Sequence, residues 1–254
     1  MSRSPLISVL IAGLEKREGC PRLLRMLDAQ AGRLQWDCEI LTLIDNGEST
    51  SGVKRQRLLQ EAAGQYVVYI DDDDEVTNDY LEKICEKCHR GPDVVTFDLL
   101  FLENGKEPRS WRFDLGNWYD DFPSGQMMPN HLCAWKTTIA RQVAWCPWLG
   151  FSDDKLWYRP LLASGVVKRQ SRVDSVLYRY NFCTETSANQ TSDLKAFAHE
   201  YAQKGLRCFK DGGGEILIED GSQHLAKRIR VRDRNNHARY ITLGTLHQFH
   251  TILL

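Results

Sequence analysis

The stretch from Tyr66 to Glu75, YVVYIDDDDE, constrains the fold most: an apolar run rich in β-branched residues ends abruptly in four consecutive carboxylates. Tyr66, Val67, Val68, Tyr69 and Ile70 have the near-continuous apolarity of a strand buried on both faces, as in a parallel sheet. In open α/β sheets the carboxyl end of such a strand faces the ligand crevice. Four adjacent carboxylates repel one another unless a cation sits among them, and Mg²⁺ and Mn²⁺ prefer oxygen ligands. Asp71, Asp73 and Asp74 therefore read as a metal and phosphate site, with a solvated acidic turn as the alternative.

The flanking chain repeats the strand-then-helix alternation. Leu6–Ala12 reads as a first buried strand, followed by the loop GLEKREGC and a helix opened by Pro21 with Leu23, Leu24, Leu27 and Ala31 at helical spacing. Glu39–Ile44 reads as a second strand ending in Asp45-Asn46-Gly47, and a helix from about Val53 to Ala63 carries Lys54, Arg55 and Arg57 near its start. Asn78–Cys88 has one apolar stripe, with Thr77 or Asn78 as N-cap, and Asp93–Leu102 reads as a fourth strand. This alternation predicts a doubly wound, mainly parallel sheet flanked by helices.

The middle of the chain is irregular and rich in tryptophan: Trp111, Trp118, Trp135, Trp145 and Trp148. Such aromatics serve either as a stacking platform beside a site or as core filler. Ser152, Asp153 and Asp154 precede a helical stretch ending at Gly165, where acids also complement the helix dipole. Val166–Gln170 and Val173–Tyr180 look like a hairpin, and Leu194–Phe209 like a last long helix.

The chain, at 254 residues, is expected to form one large domain with a small appendage, divided as 1–190 and 191–254. No apolar run approaches the ~20 residues that span a bilayer, and the N-terminus lacks the form of a secretory signal, so a cytoplasmic protein is expected. The eight cysteines are scattered and are expected to stay reduced. Cys85-Glu-Lys-Cys88-His89 has the CxxCH spacing of haem attachment, but its helical pattern favours buried cysteines.

From Leu6 to about Ser187 the motifs together resemble the family 2 type of GT-A glycosyltransferase. GQYVVYIDDDDEVTNDYLEKI is similar to that family's strand followed by Asp-x-Asp-Asp and a Tyr-Leu helix. The resemblance implies a GT-A, Rossmann-like fold and Mn²⁺ or Mg²⁺ as cofactor. It implies that Asp71 and Asp73 form the Asp-x-Asp element, with Asp73 the principal metal ligand beside Asp71 and Asp74. The nucleotide-sugar donor would then meet Ala12, Gly13, Leu14 and Glu15, Asp45 at the uracil edge, Lys54 and Arg55 near the phosphates, and Asp71 and Asp72. Leu14 stands where the family has an aromatic residue. Asp153, in register with Arg159, takes the place of the family's catalytic base, with Asp154 the alternative, and Ser152 stands where Glu is usual. A carboxylate there would take the proton of an acceptor hydroxyl while metal holds the charge of the leaving diphosphate, with inversion at the anomeric carbon.

Between Gly221 and Tyr240 six cations face one acid, Asp233, a local charge of +5 on a chain of net charge -1. The alternation RIRVR suggests a strand with arginines on one face, a row that suits a phosphate backbone. A solvated strand or an anchor to an anionic surface is the alternative. Met127–Lys136, MMPNHLCAWK, resembles a segment of short phage-encoded relatives that act on hydroxymethylated pyrimidines in DNA, which would place the protein in the host cytoplasm. DNA is accordingly the preferred acceptor, met by His131, Trp135, Arg230, Arg232 and Arg234, and glycan building is the alternative. A nucleotidyltransferase would need a Gly-rich phosphate loop, of which GLEKREG is a poor version; a silent nucleotide-sugar-binding protein would not need to retain Asp71, Asp73, Asp153 and Asp154.

Overall fold

The structure is a computed structural model that describes residues 4–117, 120, 123–147 and 153–183, with the backbone alone of Asp153 and of residues 207–210, 216–219, 227–232, 238–243 and 249–252. The first half alternates as the apolar pattern predicts: β1 (Ile7–Leu14), α1 (Cys20–Ala31), β2 (Cys38–Asp45), α2 (Ser51–Glu61), β3 (Tyr66–Tyr69), β4 (Glu75–Val76), α3 (Tyr80–Cys88) and β5 (Val94–Glu103). There follow β6 (Arg109–Phe113), β7 (Gln126–Met127), β8 (Ala134–Lys136), α4 (Thr137–Ala140), α5 (Asp153–Ala163) and β9 (Gln170–Phe182). Five short strands complete the described chain: β10 (Arg207–Lys210), β11 (Ile216–Glu219), β12 (Lys227–Arg232), β13 (Ala238–Leu243) and β14 (Phe249–Ile252).

The central sheet has the order β2-β1-β3-β8-β5-β6-β7, with β9 also on β5 and β4 on β9. Strands β2, β1 and β3 are parallel, as are β5 and β9, while the short β8 joins the two parts antiparallel to β3 and β5. All of β3 is buried, as are Ile7, Val9, Leu10 and Ile11 of β1, which accounts for their unbroken apolarity. Ser8 is the polar exception: its hydroxyl donates to Glu39 and accepts from the amide of Gly64 at 2.8 Å. Among the described residues no helix is long and apolar enough to cross a membrane.

Helix α3 starts later than its sequence suggests. Asp79 is the N-cap and makes no capping bond, and Thr77 donates its hydroxyl to Asp79 instead. The uncapped helix end is served from α1, where the buried Gln30 accepts from the amide of Leu81 and donates to the carbonyl of Thr77, both at 2.9 Å. The expected hairpin between Val166 and Tyr180 is absent. Asp93 accepts from the amides of Lys168 and Arg169 at 2.9 Å, pinning that segment, and Gln170–Phe182 then runs as one strand parallel to β5. Nothing between Gln170 and Val173 has the Gly, Asn or Asp of a tight turn. The expected last helix ends in strand β10 at Arg207–Lys210, and its residues 194–206 lie outside the described ones.

Trp111, Trp135, Trp145 and Trp157 are buried, so in the described part of the tryptophan-rich middle the rings are core. Trp135 is correspondingly no stacking surface for a base: it is fully enclosed and donates its indole N–H to the carbonyl of Asn130 at 2.8 Å. Trp118 and Trp148 lie outside the described residues. Cys85 and Cys88 are buried in α3, and burial pushes the Cys85 thiol up to about 12, so neither is a ready metal thiolate.

Helix α2 lies so close to the chain leading to α5 that a Cβ on Gly52 would sit 1.8 Å from the carbonyl oxygen of Cys146. Gly52→Ala is expected to destabilise the fold by about 2 kcal/mol or more, because backbone rather than a flexible side chain must move. Urea unfolding of the two proteins measures it, and equal midpoints would disprove the close approach.

Candidate active site

The carboxyl ends of β1, β2 and β3 lie side by side, and the parallel register places Leu14 opposite Asp45. Asp45 closes the turn after β2 by accepting from the amides of Gly47 at 2.9 Å and Ser49 at 3.0 Å. Lys54, buried in the first turn of α2, pairs with Asp45 and donates to the carbonyl of Gly13 at 2.6 Å. The hydrogen bond from Lys54 to Asp45 itself is the main reason the Asp45 carboxyl is held below its ordinary range. At Gly13 a Cβ would stand 3.1 Å from Asp72 and 3.2 Å from Ile44, so the absence of a side chain lets Asp72 reach the amide of Leu14 at 2.8 Å. Ala12 to Glu15 thus form one wall of the crevice, with the amide of Glu15 donating to the carbonyl of Asp45 at 3.0 Å.

The four strand-end carboxylates have four different fates. Asp71 accepts from Arg55 at 2.7 Å and lies 3.3 Å from Nε2 of His131. Burial works against its charge, but Arg55 and His131 outweigh it and hold the carboxyl below the ordinary range. Asp72 is buried against Leu14, and desolvation raises it. Asp74 is buried and accepts from the hydroxyl of Tyr178 at 2.8 Å and the amide of Asn181 at 2.7 Å. Desolvation, reinforced by the charge of Asp71, pushes Asp74 well up. Asp73 alone is half-exposed, with a side-chain accessibility of 36%, and its carboxylate is paired with Arg17.

His131 is buried between two acids: Nε2 faces Asp71, and Nδ1 lies 3.3 Å from Asp154 on α5. Burial and Arg55 oppose its charge, yet the two carboxylates push it up to about 9. Asp154 in turn is held down to about 2, because His131 overcomes the effect of burial. Around this triad Arg55 lies 5.0 Å over the ring of Trp145, which stacks on Trp157 and donates to the hydroxyl of Tyr69 at 2.8 Å. Asp153 begins α5, and the next residue, Asp154, links the helix through His131 to Asp71. Arg159 is fixed to Asp120, which also accepts from Tyr158 at 2.8 Å.

The structure therefore gathers Gly13, Leu14, Asp45, Lys54, Arg55, Asp71, Asp72, His131 and Asp154 at one end of the sheet. It does not gather Asp71, Asp73 and Asp74 around a point: among the described residues no three His, Cys, Asp or Glu side chains converge on a possible metal position. Protein donors already occupy Asp71, Asp72 and Asp74. Asp73 fits a different arrangement, since Mg²⁺ is commonly bound through one or two carboxylates plus substrate phosphates and water. Lys54 and Arg55 are buried in ion pairs, so among the described residues the partly exposed cation at the acids is Arg17. Sequence reasoning missed Arg17, Tyr178 and Asn181; only the β4–β9 pairing, Val76 opposite Tyr178, signals the last two. Arg230 and Arg232 lie on β12, and their side chains and all of Arg234 are outside the described residues.

Residues 31–145 match the family model described as Glycosyl transferase family 2. Among solved structures, S. aureus TarS 1-349 is similar at a TM-score of 0.51 and 15% identity, covering 69% of this chain and 60% of that one. Its complex with UDP-GlcNAc gives 0.53 and 14%, covering 78% and 64%. Its complex with UDP gives 0.50 and 16%, covering 77% and 65%. At these identities the likeness shows the fold, and the chain spans less than two thirds of those TarS chains. No curated protein matches the sequence.

Proposed function

We propose, on the premise that this chain carries a family 2-like glycosyltransferase domain of the GT-A fold, that it transfers a hexose from a nucleotide sugar to a hydroxyl acceptor with inversion. One observation carries the reading: the nucleotide-side residues after β1 and β2, the acids after β3 and the first turn of α5 meet at one crevice. A UDP sugar is the donor this favours, and the TarS fold in complex with UDP-GlcNAc supports it.

In this mechanism the wall from Ala12 to Glu15 and Asp45 receive the nucleoside. The acceptor oxygen bonds to the anomeric carbon as that carbon's bond to the diphosphate breaks, and Asp153 takes the hydroxyl proton. Asp73 would hold Mn²⁺ or Mg²⁺, which would supply neutralisation of the charge that builds on the leaving diphosphate. His131, enclosed by Asp71, Arg55 and Asp154, orders the floor between donor and acceptor sides.

For the acceptor, the favoured substrate is a 5-hydroxymethylpyrimidine in DNA. Strands β12 and β13 pair with Arg228 opposite Thr242, Arg230 opposite Tyr240 and Arg232 opposite Ala238, which puts three arginines and a tyrosine on one face of the ribbon. Cations in a row with an aromatic suit a phosphate backbone and its bases. With a UDP-sugar panel, product on hydroxymethylated DNA should fall steeply as salt rises. Replacing Arg228, Arg230 and Arg232 with Ala should cut it by about tenfold or more while slow hydrolysis of the nucleotide sugar is unchanged. Salt-independent transfer to a small saccharide, with no product on DNA, would make the enzyme a glycan-building transferase instead.

A further inference from the structure

Of the cations that the described residues place at the acids, two are locked away. Lys54 is spent on Asp45 and on the carbonyl of Gly13, and Arg55 is held against Asp71 and the ring of Trp145. Arg17 differs in place and partner. It comes from the loop after β1, is partly exposed, and reaches across to Asp73 while its Nη1 lies 3.5 Å from Asp72. Its guanidinium thus occupies the mouth of the acid turn, against the strand-end carboxylate that, among the described residues, accepts from no other donor, whereas Asp72 also accepts from the amide of Leu14. The amide of Arg17 also bonds to the carbonyl of Leu14 at 3.0 Å, which ties this cation to the wall that carries Gly13 and Leu14.

We propose that Arg17 is a built-in counter-ion of Asp73, which a divalent ion must displace, and which, once displaced, lies where the donor diphosphate arrives. The proposal rests on the nucleotide-sugar reading for its second half only. Its physical basis is exclusion: one carboxylate cannot offer the same oxygens to a guanidinium and to a divalent ion, so the ion's apparent affinity is lowered by whatever the Arg17 pair contributes. A partly exposed pair of this kind contributes modestly in water, which sets a modest effect. The exchange also avoids leaving Asp73 uncompensated among three neighbouring acids before donor binds. Planar and always charged, the released guanidinium is suited to phosphate oxygens in a way that a lysine is not.

Mn²⁺ binding to the donor-free protein, followed by the loss of the free-ion EPR signal, tests the first half. Arg17→Ala should bind Mn²⁺ about threefold to tenfold more tightly than the parent, Arg17→Lys should stay near the parent, and Asp73→Asn added to Arg17→Ala should take the gain away. Equal or weaker Mn²⁺ binding by a folded Arg17→Ala protein overturns the proposal, as does a gain that survives Asp73→Asn. Calorimetric titration with UDP in EDTA and in saturating Mn²⁺ tests the second half. UDP affinity in saturating Mn²⁺ should fall about tenfold in Arg17→Ala, whereas in EDTA, where Arg17 stays on Asp73, the substitution should change UDP binding little. UDP binding in saturating Mn²⁺ that is indifferent to Arg17 overturns the diphosphate role. Failure of the parent protein to bind UDP in either medium would instead sink the donor reading, with the EPR result still deciding the competition at Asp73.

Discussion

Asp73→Ala is expected to lower transfer by about 10³-fold or more while leaving the melting temperature almost unchanged. The contrast with its neighbours makes the experiment informative. Asp73 is half-exposed, and among the described residues its carboxylate accepts from Arg17 alone. Asp71 neutralises the buried Arg55, so Asp71→Ala leaves a buried guanidinium with a weakened network and should cost about 3 kcal/mol in stability. Asp74 accepts from Tyr178 and from the amide of Asn181, and its removal unties β9 from the acid turn. If metal binding at Asp73 underlies the effect, EDTA should reproduce the loss in the unaltered protein and Mn²⁺ should reverse it. Full transfer in chelator would mean that protein cations alone stabilise the leaving diphosphate, and the metal requirement would fall.

How far such roles were legible depends on their range in sequence. The strand-then-acid punctuation of YVVYIDDDD, the Asp45 turn and the helix start at Lys54-Arg55 are local patterns, and each element appears within a few residues of its expected bounds. What the acids do is not local. Asp71 to Asp74 look alike in sequence, yet each is assigned by partners from elsewhere: Arg55 and His131, the amide of Leu14, Arg17, and Tyr178 with Asn181. Tyr178 lies 107 residues from Asp71, and no periodicity announces that β4 and β9 will pair. The same long range hides the surroundings of Lys54 and Arg55, phosphate-side cations in the sequence reading, whose heads are buried against Asp45 and Asp71. Trp135 and Trp145 illustrate a further ambiguity, since an aromatic residue in an irregular stretch looks the same whether it stacks on a ligand or on another indole.

Asp153→Asn is expected to reduce turnover by about 10²-fold or more, with little change in donor affinity, because an amide cannot take the acceptor proton. The assignment rests on register with Arg159, whose guanidinium is anchored to Asp120 and so fixes the phase of α5. The environment of the adjacent acid separates the two roles. Asp154 is engaged by His131 and held down to about 2, and a carboxylate so strongly stabilised in its charged form is a weak acceptor of a proton. Its natural effect is structural: it balances His131 against Asp71 and Arg55, so Asp154→Asn should cost roughly 3 kcal/mol of stability and disturb donor binding and turnover together. Single-turnover rates, donor dissociation constants and melting temperatures of both variants distinguish the cases. A stable Asp154→Asn protein that binds donor normally and does not turn over, beside an Asp153→Asn protein with near-normal rate, would move the base to Asp154 and make His131 its direct partner in proton transfer.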